Sequence, residues 1–185
     1  MNPSHNLFII GPTGAGKTSV GRRLAAHYEL PFVDLDQEIE TLCGVDVNTV
    51  FEIEGEAGFR QRESALLDEC SQRGGIVLAT GAGAVLAASN RQQLRERGFV
   101  IWLQVSIEQQ LQRLERDHRR PLLAVPDRHE RLQSMARIRE PLYLQTADLA
   151  VPDEHANVAN ASAHCIALID AHWQRPPLSF SQQTA

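Results

Sequence analysis

Gly11-Pro12-Thr13-Gly14-Ala15-Gly16-Lys17-Thr18 decides the fold. It spells G-x-x-x-x-G-K-[ST], the phosphate-cradling P-loop. Leu7-Phe8-Ile9-Ile10 before it is wholly apolar, as a buried parallel strand requires. After it, Val20, Leu24 and Ala25 recur at helical spacing up to Tyr28. In a strand–loop–helix unit, successive backbone N–H groups and the positive end of the helix dipole converge on a polyphosphate. Glycine lets the backbone approach without a Cβ clash. The candidate phosphate-binding residues are therefore Gly14, Ala15, Gly16, Lys17, Thr18 and Ser19. Lys17, the only lysine of the chain, spans the β- and γ-phosphates in this reading, and the Thr18 hydroxyl ligates Mg²⁺.

The 185 residues suffice for one compact domain, and a hydrophobic content of 43% with 22% charged residues suits a soluble globular chain. No apolar run approaches the ~20 residues of a membrane span. The segment Met1–Asn6 enters a strand at once, which leaves no room for a secretory leader. Cys43, Cys70 and Cys165 are odd in number and widely spaced, so they suggest neither a zinc site nor a disulfide framework. A reducing cytoplasm is expected. The net charge of −5 argues against nucleic acid as a partner.

Apolar runs alternate with helical patterns. Strands are expected at Leu7–Ile10, Phe32–Leu35, Ile76–Thr80, Phe99–Leu103 and Leu149–Val151. Helices are expected at Lys17–Tyr28, Glu38–Cys43, Ser64–Gln72, Ser89–Arg97, Ile107–Arg116, Arg128–Leu144 and Ala156–Trp173. This alternation implies an α/β fold: a five-stranded parallel sheet covered on both faces, in three α/β/α layers. One domain over 1–175 is expected, with a disordered tail at 176–185. Two segments fit the alternation poorly. One, about 36–62, holds short helical pieces and suits a substrate-binding insertion. The other, about 114–127, is rich in arginine and proline and suits a lid.

Further chemistry clusters where the strands should end. Asp34-Leu35-Asp36 closes the second strand, and in an extended segment residues two apart point the same way. One carboxylate then holds hydrated Mg²⁺ while the other orients or deprotonates an acceptor hydroxyl. The competing reading is that one aspartate caps the following helix. Arg60 suits a substrate carboxylate with its planar fork of donors, or is a solvated helix residue. Phe51 and Phe59 read as core rather than substrate wall. Gly81-Ala82-Gly83 after Thr80 brings backbone close to a ligand, or is a tight turn only. Arg120, within Arg119-Arg120-Pro121-Leu122-Leu123, suits a lid arginine folded onto the transferring phosphate. Eight arginines lie between Arg113 and Arg139, most of them read as solvated helix faces. Arg139 stands out because Pro141 interrupts its helical pattern and fixes the local geometry.

In combination these elements resemble the shikimate kinase family. The matches are Gly11–Thr18, Asp34-Leu35-Asp36, Gly55–Arg60, Thr80–Gly83, Arg120–Leu123 and Arg139–Tyr143, in the family's order over residues 7 to about 150. The P-loop is shared by many NTPases, whereas the combination is specific. The resemblance implies a monomeric, ATP-dependent kinase acting on the 3-hydroxyl of shikimate in aromatic amino-acid biosynthesis, with a fold similar to nucleoside monophosphate kinases. It also implies site roles. Lys17, Asp36 and Arg120 are catalytic, with Asp36 the base and Arg120 on the ATP phosphates. Thr18 and Asp34 serve Mg²⁺. Arg60 and Arg139 grip the shikimate carboxylate, and Gly81, Ala82 and Gly83 line the substrate. Three departures stand out: Ala82 replaces a usual glycine, Thr18 a common serine, and the segment 152–157 lacks the basic residue often placed near the adenine.

A gluconate kinase of similar architecture and a non-catalytic ATP sensor are the competing readings. Asp36 distinguishes the sensor, which needs no group facing an acceptor hydroxyl. An RNA-binding role for 113–139 is disfavoured by its interleaved acidic residues.

Overall fold

The computed structural model describes residues 4–115, 121–123, 125–152 and 158–176. Five strands, β1 (Leu7–Ile10), β2 (Phe32–Asp34), β3 (Val77–Ala79), β4 (Phe99–Leu103) and β5 (Leu149–Val151), form one sheet in the order β2-β3-β1-β4-β5. Every pairing is parallel. Leu7 of the central strand sits opposite Val77 on one side and Phe99 on the other.

The pleat divides the core in two. Leu7 and Ile9 pack with Val77, Phe99 and Ile101, beneath Val20 and Leu24 of α1 (Lys17–Tyr28) and Ile169 of α7 (Val158–His172). Phe8 and Ile10 point the other way and pack with Leu78, Val100 and Trp102. That face is covered by α3 (Val47–Ser71), α4 (Ala88–Arg97) and α6 (Arg128–Thr146), through Leu67, Leu94 and Tyr143. Burial on both faces is why the strands read as unbroken apolar runs rather than alternating ones. The five-stranded parallel α/β architecture is as expected. The loop after β1 emerges between the ends of β3 and β4, at the carboxyl edge where such sheets bind ligands.

Three elements differ from expectation. First, β2 ends at Asp34, and α2 (Leu35–Cys43) starts at once. Asp34 caps it, accepting from Asp36 N at 3.1 Å. The extended-segment argument for the aspartate pair is therefore wrong, because Asp36 lies in a helical first turn. Second, the short pieces expected before Ser64 belong to α3, a run of 25 residues bent at Gly55. Asp46 starts it, accepting from Thr49 N at 2.8 Å. Gly55 has φ 70° and ψ 178°, a conformation open almost only to glycine, so the bend is written at one position. Third, α6 runs through Pro141 to Thr146 instead of being interrupted there. Between them, α5 (Ile107–Leu114) is started by a capping box from Ser106 and Gln109.

Candidate active site

The phosphate loop takes its shape from backbone constraints. A Cβ on Gly11 would meet the Leu103 carbonyl oxygen at 2.5 Å, so only glycine passes the end of β4. Gly16, at φ 81°, turns the chain into α1, and no side chain caps that helix. A helix N-terminus at the end of such a loop is a ready site for an anion. Lys17 Nζ donates to the carbonyls of Gly11 and Pro12, at 2.8 and 2.9 Å. A cavity of about 440 Å³ opens against the loop, lined by all six residues Gly14–Ser19 together with Asp34 and Asp36. Pro152, Val158, Ala161 and Cys165 line it too, a largely apolar group suited to a nucleobase.

The Mg²⁺ candidates meet directly. Thr18 Oγ1 donates to Asp34 Oδ2 at 2.6 Å, which places a hydroxyl and a carboxylate side by side at the loop. These are hard oxygen donors, the type Mg²⁺ takes alongside water and phosphate oxygens. No cluster of three or more His, Cys, Asp or Glu able to hold a metal occurs among the described residues. The donor set therefore suits a metal carried largely by nucleotide and water. Asp34 has two functions here, cap and Thr18 partner, so the two readings of it do not compete.

A second cavity, about 70 Å³, adjoins the first through Thr13, Asp36 and Ala82. It brings together Asp36, Arg60, Gly81, Ala82, Gly83 and Arg139. Arg60 is not a solvated residue. Its guanidinium bonds Glu63 Oε2 at 2.6 Å and Glu56 Oε1 at 3.2 Å. Burial works against its charge, but the two carboxylates outweigh that and raise its pKa. Arg139 is 6% exposed and makes no ion pair among the described residues. Burial pulls its pKa down, and the nearby Arg60 charge adds to this. An entering carboxylate answers that deficit directly. Two buried atoms, Arg60 Nε and Glu63 Oε1, also have no hydrogen-bond partner among the described residues. Phe59 is core, 3% exposed, with the Phe51 ring against it at 4.4 Å and tilted by 34°, and both line the cavity.

The glycines of the 81–83 turn make room for side chains. A Cβ on Gly81 would overlap Glu63 Oε1, and one on Gly83 would overlap the Arg60 guanidinium. Ala82 between them has no positive φ, so its methyl is accommodated without strain. Its carbonyl accepts from the Tyr143 hydroxyl at 2.6 Å.

Sequence reasoning missed Glu63, 1% exposed, which holds Arg60 against the turn. Burial pushes its carboxyl pKa up, while Arg60 pulls it back. It also missed Arg113, taken for a solvated helix residue, whose guanidinium donates to Gly14 O at 3.0 Å and lines the loop cavity. Arg120 and residues 153–157 lie outside the described residues. Of the segment expected to be a lid, Leu122 and Leu123 line the second cavity. A third cavity of about 340 Å³, lined from α5 and α6, shares Thr13 and Arg139 with the second, but neither Lys17 nor Asp36 lines it.

A P-loop, a bonded hydroxyl and carboxylate beside it, and an adjoining pocket with two carboxylates and two arginines define a kinase for a small acidic alcohol. The shikimate kinase family model matches residues 13–170. The shikimate kinase of Stenotrophomonas maltophilia (strain K279a) is 46% identical over 179 residues, which are 97% of this chain and 99% of that protein. That of Bordetella pertussis is 56% identical over 145 residues, 78% of this chain and 69% of that one. The solved structure of the Acinetobacter baumannii shikimate kinase in complex with shikimate aligns with a TM-score of 0.87 at 41% identity, covering 92% of this chain and 94% of that one. This chain belongs to the shikimate kinase family.

Proposed function

We propose that this chain transfers the γ-phosphoryl group of ATP to the 3-hydroxyl of shikimate, the step its family performs in aromatic amino-acid biosynthesis. The supporting observation is the adjacency of two cavities that share Asp36: one on the phosphate loop, the other holding Arg60 and Arg139.

In this reading the nucleotide phosphates lie over the α1 N-terminus, with Gly14 to Ser19 as the cradle. Lys17 leaves the Gly11 and Pro12 carbonyls to neutralise the β- and γ-phosphates. Thr18 and Asp34 hold Mg²⁺, which supplies charge neutralisation on the phosphate oxygens. Arg60 and Arg139 take the shikimate carboxylate, each through a pair of N–H groups. That anchor sets the acceptor hydroxyl beside Asp36. The 3-oxygen bonds to the γ-phosphorus as the bond to ADP breaks, and its proton passes to Asp36. Gly81, Ala82 and Gly83 form the pocket wall, and Arg120 approaches the phosphates from the lid.

The domain reading is one unit over 1–175, with the acceptor insertion at about 36–62 and the lid at about 114–127. The same reading makes the enzyme a cytoplasmic monomer. No described helix is long and apolar enough to cross a membrane. Coupled ADP release with shikimate, with gluconate and with no acceptor tests the proposal. Shikimate-dependent turnover is expected. Turnover with gluconate alone would reassign the acceptor, and nucleotide binding with no acceptor-stimulated turnover would favour a sensor.

A further inference from the structure

The third cavity, about 340 Å³, takes no part in the reaction just described. Its size falls in the range of roughly 300–1,000 Å³ that small-molecule sites occupy. Trp102 and Tyr143, their rings 5.7 Å apart and tilted by 28°, give it an aromatic wall. Val105, Leu132, Met135 and Ala136 add apolar surface. Such a lining suits a flat hydrocarbon ring better than a polyol.

The charged and open polar groups of the cavity are mainly donors. Trp102 is 8% exposed, and its Nε1–H has no hydrogen-bond partner among the described residues. A buried donor left open costs free energy, which an acceptor on a ligand would recover. Arg139 adds a buried guanidinium that makes no ion pair among the described residues. Glu140 also lines the cavity, but it is exposed, where water screens its charge. A carboxylate only accepts, so a ring bearing one carboxylate answers both donors.

Arg139 lines the acceptor pocket as well. Two carboxylates drawn to one buried guanidinium repel each other. We propose that the third cavity is a binding site for a small aromatic carboxylate, which engages Arg139 from outside the acceptor pocket and so weakens acceptor binding. By linkage, the acceptor weakens the aromatic acid by the same factor. The antagonism rests on the proposed function, whereas the site does not.

The probe is trans-cinnamate, with neutral cinnamamide as its control. Trp102 and Trp173 are the only two tryptophans, and Trp173 packs with Phe99 on the other face of the sheet. With 5-fluorotryptophan incorporated, each gives one ¹⁹F resonance, assigned by Trp173→Phe. On titration with cinnamate the Trp102 resonance should move and saturate with a Kd at or below about 5 mM, while that of Trp173 stays fixed. Cinnamamide should bind about 10-fold more weakly or worse. Saturating cinnamate should raise KM for shikimate about 5-fold or more, with kcat unchanged. Ala136→Phe fills the third cavity and does not touch the acceptor pocket, so it should abolish both effects and keep the original KM for shikimate. Val105→Phe fills the same space and serves if Ala136→Phe does not fold. An unmoved Trp102 resonance, or equal affinity for cinnamate and cinnamamide, would overturn the inference. So would full inhibition in the filled variants, since cinnamate would then lie in the acceptor pocket itself. An unchanged KM for shikimate at saturation would overturn the antagonism. Lack of shikimate turnover with the Trp102 response intact would count against the proposed acceptor alone.

Discussion

Asp36 and Arg139 carry the account at the scale of single residues. Asp36→Asn keeps the shape and removes the base, so kcat should fall by about 10²–10⁴-fold while ATP still binds, read by turnover and by nucleotide titration. Arg139→Ala removes a charge-assisted contact and should raise KM for shikimate by about 10- to 150-fold, or roughly 1.5–3 kcal/mol. An unchanged shikimate KM would remove Arg139 from the carboxylate grip. Most of the site was legible because its residues sit in local patterns: a loop spelling, an aspartate pair, a glycine-bracketed turn. Glu63 was not, because a buried glutamate on a helix is spelled like a solvated one, and only the fold sets it under Gly81. Arg113 was lost among eight arginines for the same reason, since its bond to Gly14 O spans 99 positions.

Among the elements, α3 departs furthest from its sequence pattern. Its apolar positions fall out of phase because two helical pieces meet at Gly55, so no single periodicity runs through them. Nothing lies within 4 Å of where a Gly55 Cβ would stand, so the demand for glycine is conformational. Gly55→Ala should cost about 1–3 kcal/mol and lower Tm by several degrees, read by thermal unfolding. An unchanged Tm would mean that the bend adapts to alanine. β2 and α2 show the opposite case. The capping alternative for Asp34 was present in the sequence, and the structure keeps it without cost to the site. One carboxylate reaches both Asp36 N and Thr18 Oγ1 because the helix begins where the strand stops. Pro141 misled because α6 continues through it, up to a last turn in which Thr146 Oγ1 bonds the Leu142 carbonyl at 2.6 Å.

For the whole molecule, the parallel sheet puts the loop after β1 and the ends of β2 and β3 at one edge, which is why residues from 13 to 165 meet in adjoining cavities. This layer order followed from strand–helix alternation, since each apolar run needs cover on two faces. Nucleotide should therefore stabilise the entire fold. At 100 times its Kd, ATP analogue should add about 2.7 kcal/mol, which raises Tm by roughly 5–10 °C. Lys17→Ala should lose most of that gain together with its turnover, and a full gain in that variant would remove Lys17 from the phosphates. The most direct measurement is the position of the new phosphoester, read by ³¹P–¹H correlation NMR of the product formed from ATP and shikimate. The account predicts a single ester on the 3-oxygen, the hydroxyl set against Asp36 when the carboxylate is held by Arg60 and Arg139. An ester on another hydroxyl, or no shikimate phosphate at all, would contradict it.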